Sequence, residues 1–322
     1  MKAVRIHTLE GPRALRVDDV PEPAAGAGDV VVDVRAAGVN FPDVLLTRGK
    51  YQFKPTPPFS PGGEGAGVVT FSGAPELAAG DRVAFTTLHG AFAERVALPA
   101  MAVVKLPEKV GFEAGAATLL TYLTVIHALE DRAALRAGET LLVLGAAGGV
   151  GVAAIQLGKM LGARVIAAAS SDEKLAFCKE NGADAGVNYA KEDLKERVKA
   201  LTDGAGANVI FDPVGGPYSE PALRAIAWEG RFLVVGFAAG DIPKIPLNLA
   251  LLKGCQIVGV FWGQFAMREP ARNRAHAERV LAAVAEGKLT PRIDTTFPFA
   301  RAAEALERME QRKVLGKMLL VP

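Results

Sequence analysis

From residue 1 to about 120 the hydrophobic residues fall in short runs broken by glycine and proline: MKAVRI, ALRVDDV, DVVVDVRAAGVN, GAGVVTFSG, DRVAFT, AFAERVALP and AVVKLP. Their β-branched enrichment, with turn residues at roughly ten-residue spacing, predicts an all-β, partly open barrel. From 121 to 262 the rhythm changes to apolar strands alternating with amphipathic helices. The expected strands are TLLVLG (140–145), RVIAAAS (164–170), AGVNY (185–189), NVIFDPV (208–214), RFLVVGF (231–237) and QIVGVFW (256–262). These runs show little period-two alternation, as parallel strands covered by helices on both faces should. The prediction is an α/β doubly wound parallel sheet. Beyond Trp262 come a helix, RNRAHAERVLAAVAEGKL, then RIDTTFPF, a second helix, ARAAEALERMEQRK, and a last strand, GKMLLVP. They do not easily extend a complete six-stranded sheet. Residues 263–322 are therefore assigned to the first domain, with 121–262 inserted into it.

Composition narrows the function classes. A chain of 322 residues exceeds most single cores, in line with two domains. Thirty-seven Lys and Arg against 35 Asp and Glu give a formal charge of +2, too balanced to favour nucleic acid or an anionic membrane as main partner. The most basic run, REPARNRAHAER at 268–279, reads as a solvated face. Two cysteines, Cys178 and Cys255, exclude a disulfide framework and a four-cysteine zinc site. The opening MKAVRIHTLEGPRALRV scatters its charges and does not read as a signal peptide. No apolar run approaches the roughly 18 residues of a spanning helix. The cytoplasm is the expected location.

One stretch carries chemistry. TLLVLG is followed by Val150, Ala154, Leu157 and Leu161 on one helical face, and Gly162 then precedes RVIAAAS, which makes a βαβ unit. In its turn, Ala147-Gly148-Gly149-Val150-Gly151, Gly148 and Gly151 occupy the second and third glycine positions of the dinucleotide fingerprint, while Ala146 stands at the first. The second glycine lets backbone approach a pyrophosphate. The third lets the helix pack on the strand, its N-terminus facing the negative charge. A site built for NAD places Asp or Glu at the end of the second strand to bind ribose hydroxyls. Here Ser170 and Ser171 stand there, with Lys174 one helical turn on. Hydroxyls and an ammonium suit a 2′-phosphate, so the expected cofactor is NADPH. The bland reading of Lys174, an exposed lysine in a first helical turn, is mildly unfavourable to the helix dipole.

Several chemistries lack their motifs. GxxxxGK[ST], HExxH and GxSxG are all absent, and His7, His89, His127 and His276 show no metal-ligand spacing with the cysteines. No metal site is expected.

With these residues in view, the chain resembles the medium-chain dehydrogenase/reductase superfamily, in particular its zinc-independent quinone oxidoreductase family, which includes zeta-crystallin. The resemblance rests on AAGVNFPDVLLTRGKY (36–51), PGGEGAGVV (61–69), AAGGVGVAAIQLGKMLGA (146–163), VNY (187–189) and FDPVGG (211–216). Zinc alcohol dehydrogenases of the superfamily place a cysteine in the segment equivalent to AAGVNFPDVL and a histidine before the glutamate of the second. This chain has Val39 or Asn40 and Gly63 there, and lacks the cysteine-rich loop of the structural zinc. The resemblance implies a GroES-like barrel domain, a Rossmann domain, and a cofactor in the cleft between them.

It also implies residue roles. Asn40 and Tyr51 match residues facing nicotinamide and substrate, and Thr124 a threonine near the carboxamide. Lys174 and Tyr189 match a pair holding the 2′-phosphate. Phe237 and the segment Val260–Trp262, with Phe261 at its centre, match backbone lining the nicotinamide pocket. Each has a structural alternative. Asn40 caps a turn, Tyr51 wedges a surface loop, Thr124 bonds its own helix, Tyr189 only packs, and Glu64 binds nearby backbone. The implied activity is hydride transfer from NADPH to a quinone or enone, with Asn40 or Tyr51 donating to the developing oxyanion. An enoyl- or acryloyl-coenzyme A reductase, with Arg268, Arg272 and Arg274 meeting coenzyme A phosphates, is the alternative within the superfamily. A non-catalytic NADPH-binding structural or RNA-binding protein is the alternative of another class. Strand 256–262 reads as a sheet edge, which a homodimer covers.

Overall fold

A computed structural model describes all residues, 1–322. The strands, in chain order, are β1 (Lys2–Ile6), β2 (Leu15–Asp19), β3 (Asp29–Val39), β4 (Glu64–Ser72), β5 (Arg82–Thr86), β6 (Arg95–Pro99), β7 (Val103–Lys105), β8 (Thr140–Leu144), β9 (Arg164–Ala169), β10 (Ala185–Asn188), β11 (Ala207–Asp212), β12 (Ile226–Val234), β13 (Gln256–Gly259), β14 (Ile293–Pro298) and β15 (Lys317–Val321). They fall into two compact units, Met1–Leu120 with Pro270–Pro322, and Thr121–Glu269.

The first unit holds a seven-stranded sheet in the order β14-β15-β3-β4-β5-β7, with β6 also on β3, and a separate β1-β2 ribbon. Every pairing is antiparallel except β14 with β15. The long β3 is buried over most of its length because β15, β4 and β6 all pair with it. Val30, Val32, Val34, Phe85, Phe92, Phe297 and Leu320 fill the core. This is the GroES-like half of an α/β fold.

The second unit is a six-stranded, wholly parallel sheet in the order β10-β9-β8-β11-β12-β13. Strand order reverses between β8 and β11, the switch point at which Rossmann sheets bind their ligand. Leu142, Leu144, Ile166, Ala168 and Ile210 are fully buried, consistent with strands covered on both faces. No helix is long and apolar enough to cross a membrane.

Two expected strands run differently. The stretch 256–262 pairs only from Gln256 to Gly259, because its neighbour β12 ends at Val234. Val260 N–H makes a last bond to Val234 O, and Trp262–Arg268 is helical. Phe265 in that helix stacks on His127, centroids 4.0 Å apart, and residues 263–269 group with the second unit, although 263 onward was expected in the first. The stretch 231–237 leaves the sheet after Val234. Ala238 and Ala239 then donate to Pro213 O and Val214 O, fastening this loop to the one that follows β11.

Candidate active site

The glycine turn behaves as a device for close approach. Gly145, just before the fingerprint, takes φ +59°, so it makes the tight turn that the first fingerprint glycine commonly makes. Gly148 caps the helix Gly149–Met160. A Cβ on Gly151 would lie 2.5 Å from Gly145 O and 2.6 Å from Ala146 O, so no other residue lets this helix start against the turn. Ala147 is buried and Val150 half-buried beside it. The amides of Gly149, Val150 and Gly151 lie in the first turn, with no acceptor inside the helix, at the positive end of its dipole. They stand at the carboxyl end of β8, beside the switch point, and suit a pyrophosphate.

The ends of β9 and β10 supply the next group. Ser170 follows β9 and is exposed. Ser171 caps the helix Asp172–Glu180, its Oγ accepting from Lys174 N at 3.3 Å. The Lys174 ammonium bends back to donate to Ser170 Oγ at 3.1 Å. A carboxylate is close by, Asp172, but it accepts from Asn188 Nδ2 and Lys191 Nζ, both at 2.6 Å. Because Asn188 pairs with Ala169, Tyr189 comes level with Ser170; its amide donates to Ala169 O and its ring lies 4.3 Å from that of Tyr218. Ser170, Ser171, Lys174 and Tyr189 are thus brought together.

At the end of β11, Asp212 organises the loop of the FDPVGG stretch. Its Oδ1 accepts from Val214 N and Gly215 N, both at 2.8 Å, and its Oδ2 from Ser219 Oγ at 2.5 Å. Burial nonetheless pushes its carboxyl above the usual range. Phe237 packs against Gly215, where a Cβ would be 2.8 Å from the ring. Thr124 is half-buried in the helix Leu119–Ile126, and Phe261 stands exposed at the start of the helix Trp262–Arg268.

In the first unit a polar cluster is sealed inside. Asn40 (5% exposed), Asp43 (1%), Glu64 (0%) and Lys317 (3%) meet where β3 runs into the helix Phe41–Thr47. Asn40 Nδ2 donates to Glu64 Oε1 at 2.9 Å and to Gly38 O at 3.2 Å, and Asn40 Oδ1 accepts from Lys317 Nζ at 2.7 Å. Both amide hydrogens of Asn40 are committed internally, which revises the expectation that it donates to an oxyanion. The Asp43 carboxylate spans two loops, accepting from Asn40 N at 2.8 Å and Gly62 N at 3.1 Å. Glu64 Oε2 accepts from Leu120 N at 2.8 Å. Tyr51 is half-buried against the same core, and burial first, then the Asp43 charge, holds its phenol protonated beyond the usual range. Asp43 and Lys317 were not anticipated. Asp43 has a local signal, an acid three residues into a helix that starts after Asn. Lys317 has none.

Comparison with known proteins bears on both units. A family model described as "Alcohol dehydrogenase GroES-like domain" matches residues 26–108, and one described as "Zinc-binding dehydrogenase" matches 149–278. The quinone oxidoreductase-like protein 2 homolog of Nematostella vectensis is 41% identical over 92% of this chain and 82% of its own length. The quinone oxidoreductase of Pseudomonas aeruginosa is 33% identical over 100% of this chain and 99% of its own. The solved structure of Escherichia coli quinone oxidoreductase complexed with NADPH superimposes with a TM-score of 0.94 at 28% identity, covering 100% of both chains.

The second family description raises zinc, and the residues present do not fit it. Asn40 and Gly63 offer neither thiolate nor imidazole, Glu64 already holds an ammonium 2.5 Å away, and the Asp43 oxygens are taken by the Asn40 and Gly62 amides.

Asp43 gives the cluster a pH signature. Desolvation outweighs its two backbone donors and the Lys317 charge, and pushes its carboxyl up from 3.8 to about 7. The folded chain then keeps a proton that the unfolded chain has released, so this contribution to stability is complete below pH ~4 and is lost as pH rises to about 7. Denaturant unfolding of wild type and Asp43→Asn at both pH values should show the wild type losing stability relative to the variant on going up. A pH-independent difference would refute a neutral, buried Asp43.

Proposed function

Since the chain belongs to the zinc-independent quinone oxidoreductase family of the medium-chain dehydrogenase/reductase superfamily, we propose that it transfers hydride from NADPH to a quinone or another α,β-unsaturated carbonyl. That it is an oxidoreductase using a nicotinamide cofactor follows from the family and its solved relatives. The choice of NADPH rests on one observation. The Lys174 ammonium is held at Ser170, and Asp172, the acid next to Ser171, is occupied by Lys191 and Asn188. A dianionic 2′-phosphate would meet a cation, two hydroxyls and the Tyr189 ring there, with the neighbouring Asp172 charge already offset by Lys191.

The nicotinamide, when bound, supplies the hydride. The chain's own residues bind and orient. The first-turn amides 149–151 would hold the pyrophosphate, and the loop 213–216, braced by Asp212, positions Phe237, which would line the nicotinamide site. Phe261 and Thr124 contribute to the same pocket. At the acceptor, Tyr51 is the hydrogen-bond donor, since the Asn40 amide is already spent and burial keeps the phenol protonated. Asn40 shapes the pocket wall and does not donate.

A homodimer is part of the same reading. Trp228, Leu247, Leu251, Leu252 and Ile257 expose large apolar side chains on or near the edge strand β13, Leu251 being 80% exposed. An apolar edge of this kind is a liability that a second copy covers. The protein works on small molecules, without a nucleic acid or membrane partner, and in the cytoplasm.

Four measurements check this reading. Lys174→Ala should raise the KM for NADPH far more than that for NADH, and equal effects would remove the 2′-phosphate site. Tyr51→Phe should lower kcat on the order of 100-fold, as loss of an oxyanion donor does; a change within a few-fold removes that role. Reduction of 1,4-naphthoquinone should outpace that of crotonyl-coenzyme A, and the reverse selects the enoyl thioester reductase. Light scattering should give a dimer for the wild type and a monomer for Leu251→Asp/Ile257→Glu, whereas a monomeric wild type rejects the edge-strand interface.

A further inference from the structure

Strand register alone brings Lys317 to Asn40. β15 pairs with β3 through Met318 opposite Val39 and Leu319 opposite Gly38, which puts Lys317 level with Asn40. On the other side of β3, β4 pairs Gly65 with Ala37, which puts Glu64 level with Gly38. Residues 38 and 40 share one face of the strand, so Lys317, Asn40, Gly38 and Glu64 all point the same way. The ion pair must cross β3 to form, and the middle residue is glycine. A Cβ on Gly38 would lie 2.6 Å from Glu64 Oε1.

Three oxygens surround the ammonium: Glu64 Oε1 at 2.5 Å, Asn40 Oδ1 at 2.7 Å and Val39 O at 3.2 Å. Its three N–H donors are all used. The Asn40 carboxamide lies between opposite demands, its oxygen facing a cation and its nitrogen facing a carboxylate. A flip of the amide would set NH₂ against ammonium and C=O against carboxylate. Buried ion pairs add little net stability and are often matched by apolar replacements, so stability is a poor reason for this one.

We propose that Lys317 is a positioning residue for the reaction, an internal cation that locks the Asn40 carboxamide and Glu64 in one orientation. It thereby fixes the junction of β3 with the helix Phe41–Thr47, the wall on which the acceptor is held. The proposal rests on the reading that the acceptor binds beside Asn40 and Tyr51. Lys317 touches neither cofactor nor acceptor and acts through Asn40.

The test is Lys317→Ala, which removes three methylenes together with the ammonium and leaves a cavity of that length ending in three oxygens, assayed with and without propylammonium chloride and against sodium chloride at equal ionic strength. Lys317→Arg and Lys317→Met serve as further variants. With naphthoquinone as acceptor, kcat/KM should fall on the order of 100-fold in Lys317→Ala, as expected when a reacting geometry is loosened by about 1 Å. The Kd for NADPH, read by its fluorescence, should stay within two-fold. Propylammonium, and not sodium, should recover at least ten-fold of the activity and raise the melting temperature. Lys317→Met should lose as much activity as Lys317→Ala and gain nothing from the amine.

Activity of Lys317→Ala within three-fold of wild type overturns the proposal, as does a loss without amine rescue in variants that melt like the wild type. If Lys317→Ala fails to fold, the comparison moves to Lys317→Arg, for which a selective rise in acceptor KM at unchanged NADPH Kd supports positioning and unchanged kinetics refutes it. If the wild type reduces no conjugated carbonyl, the functional reading fails. The amine-dependent rise in melting temperature then still reports whether the cage holds a cation.

Discussion

Removing charge from water is the constraint that shapes the first unit. One ammonium and two carboxyl groups lie inside it with almost no solvent contact, and each demands partners in fixed directions. The backbone answers at Gly62, Val39, Leu120 and the Asn40 amide, drawing loop, strand and helix to one point. The three-strand convergence of β15, β3 and β4 is the form that satisfies these groups together. Apolar residues such as Val34, Val39 and Phe85 fill the volume around it and leave the directions to the polar atoms.

The second unit is governed by close approach. Its glycine turn forms because two backbones come nearer than any side chain allows, at Gly151 over Gly145 O. The same economy recurs at Gly215, which admits Phe237, so both loops at the carboxyl ends of β8 and β11 are shaped by missing side chains. What those loops offer a ligand is main-chain amides, fixed in place before any ligand arrives. An anion gains from that preorganisation, because no reorientation is needed on binding.

How much of this was legible depends on the range of the interaction. The βαβ turn, the serines after β9 and Lys174 are encoded within about 30 residues, and local spacing is enough to read them. The α/β organisation was readable because covered parallel strands lose their alternation. The strand at 256–262 was read too long because its apolar pattern continues past Gly259, whereas its partner stops at Val234. Asn40 stood beside Tyr51 as a possible donor because nothing within a helical turn of it shows that residues 64 and 317 claim its amide. A lysine opening GKMLLVP looks like any solvated lysine at a strand end. Only the register of β15 against β3 turns it inward.

The ion pair across Gly38 joins residues 253 positions apart. During synthesis Glu64 leaves the ribosome long before its counter-charge is translated. Until then the site where β3 enters its helix holds a carboxylate with no cation, and β3 lacks the neighbour that completes one of its edges. The whole doubly wound unit, contained in the single continuous stretch Thr121–Glu269, is made in that interval. The first unit begun is thus the last to be completely translated, and β15 supplies its missing strand.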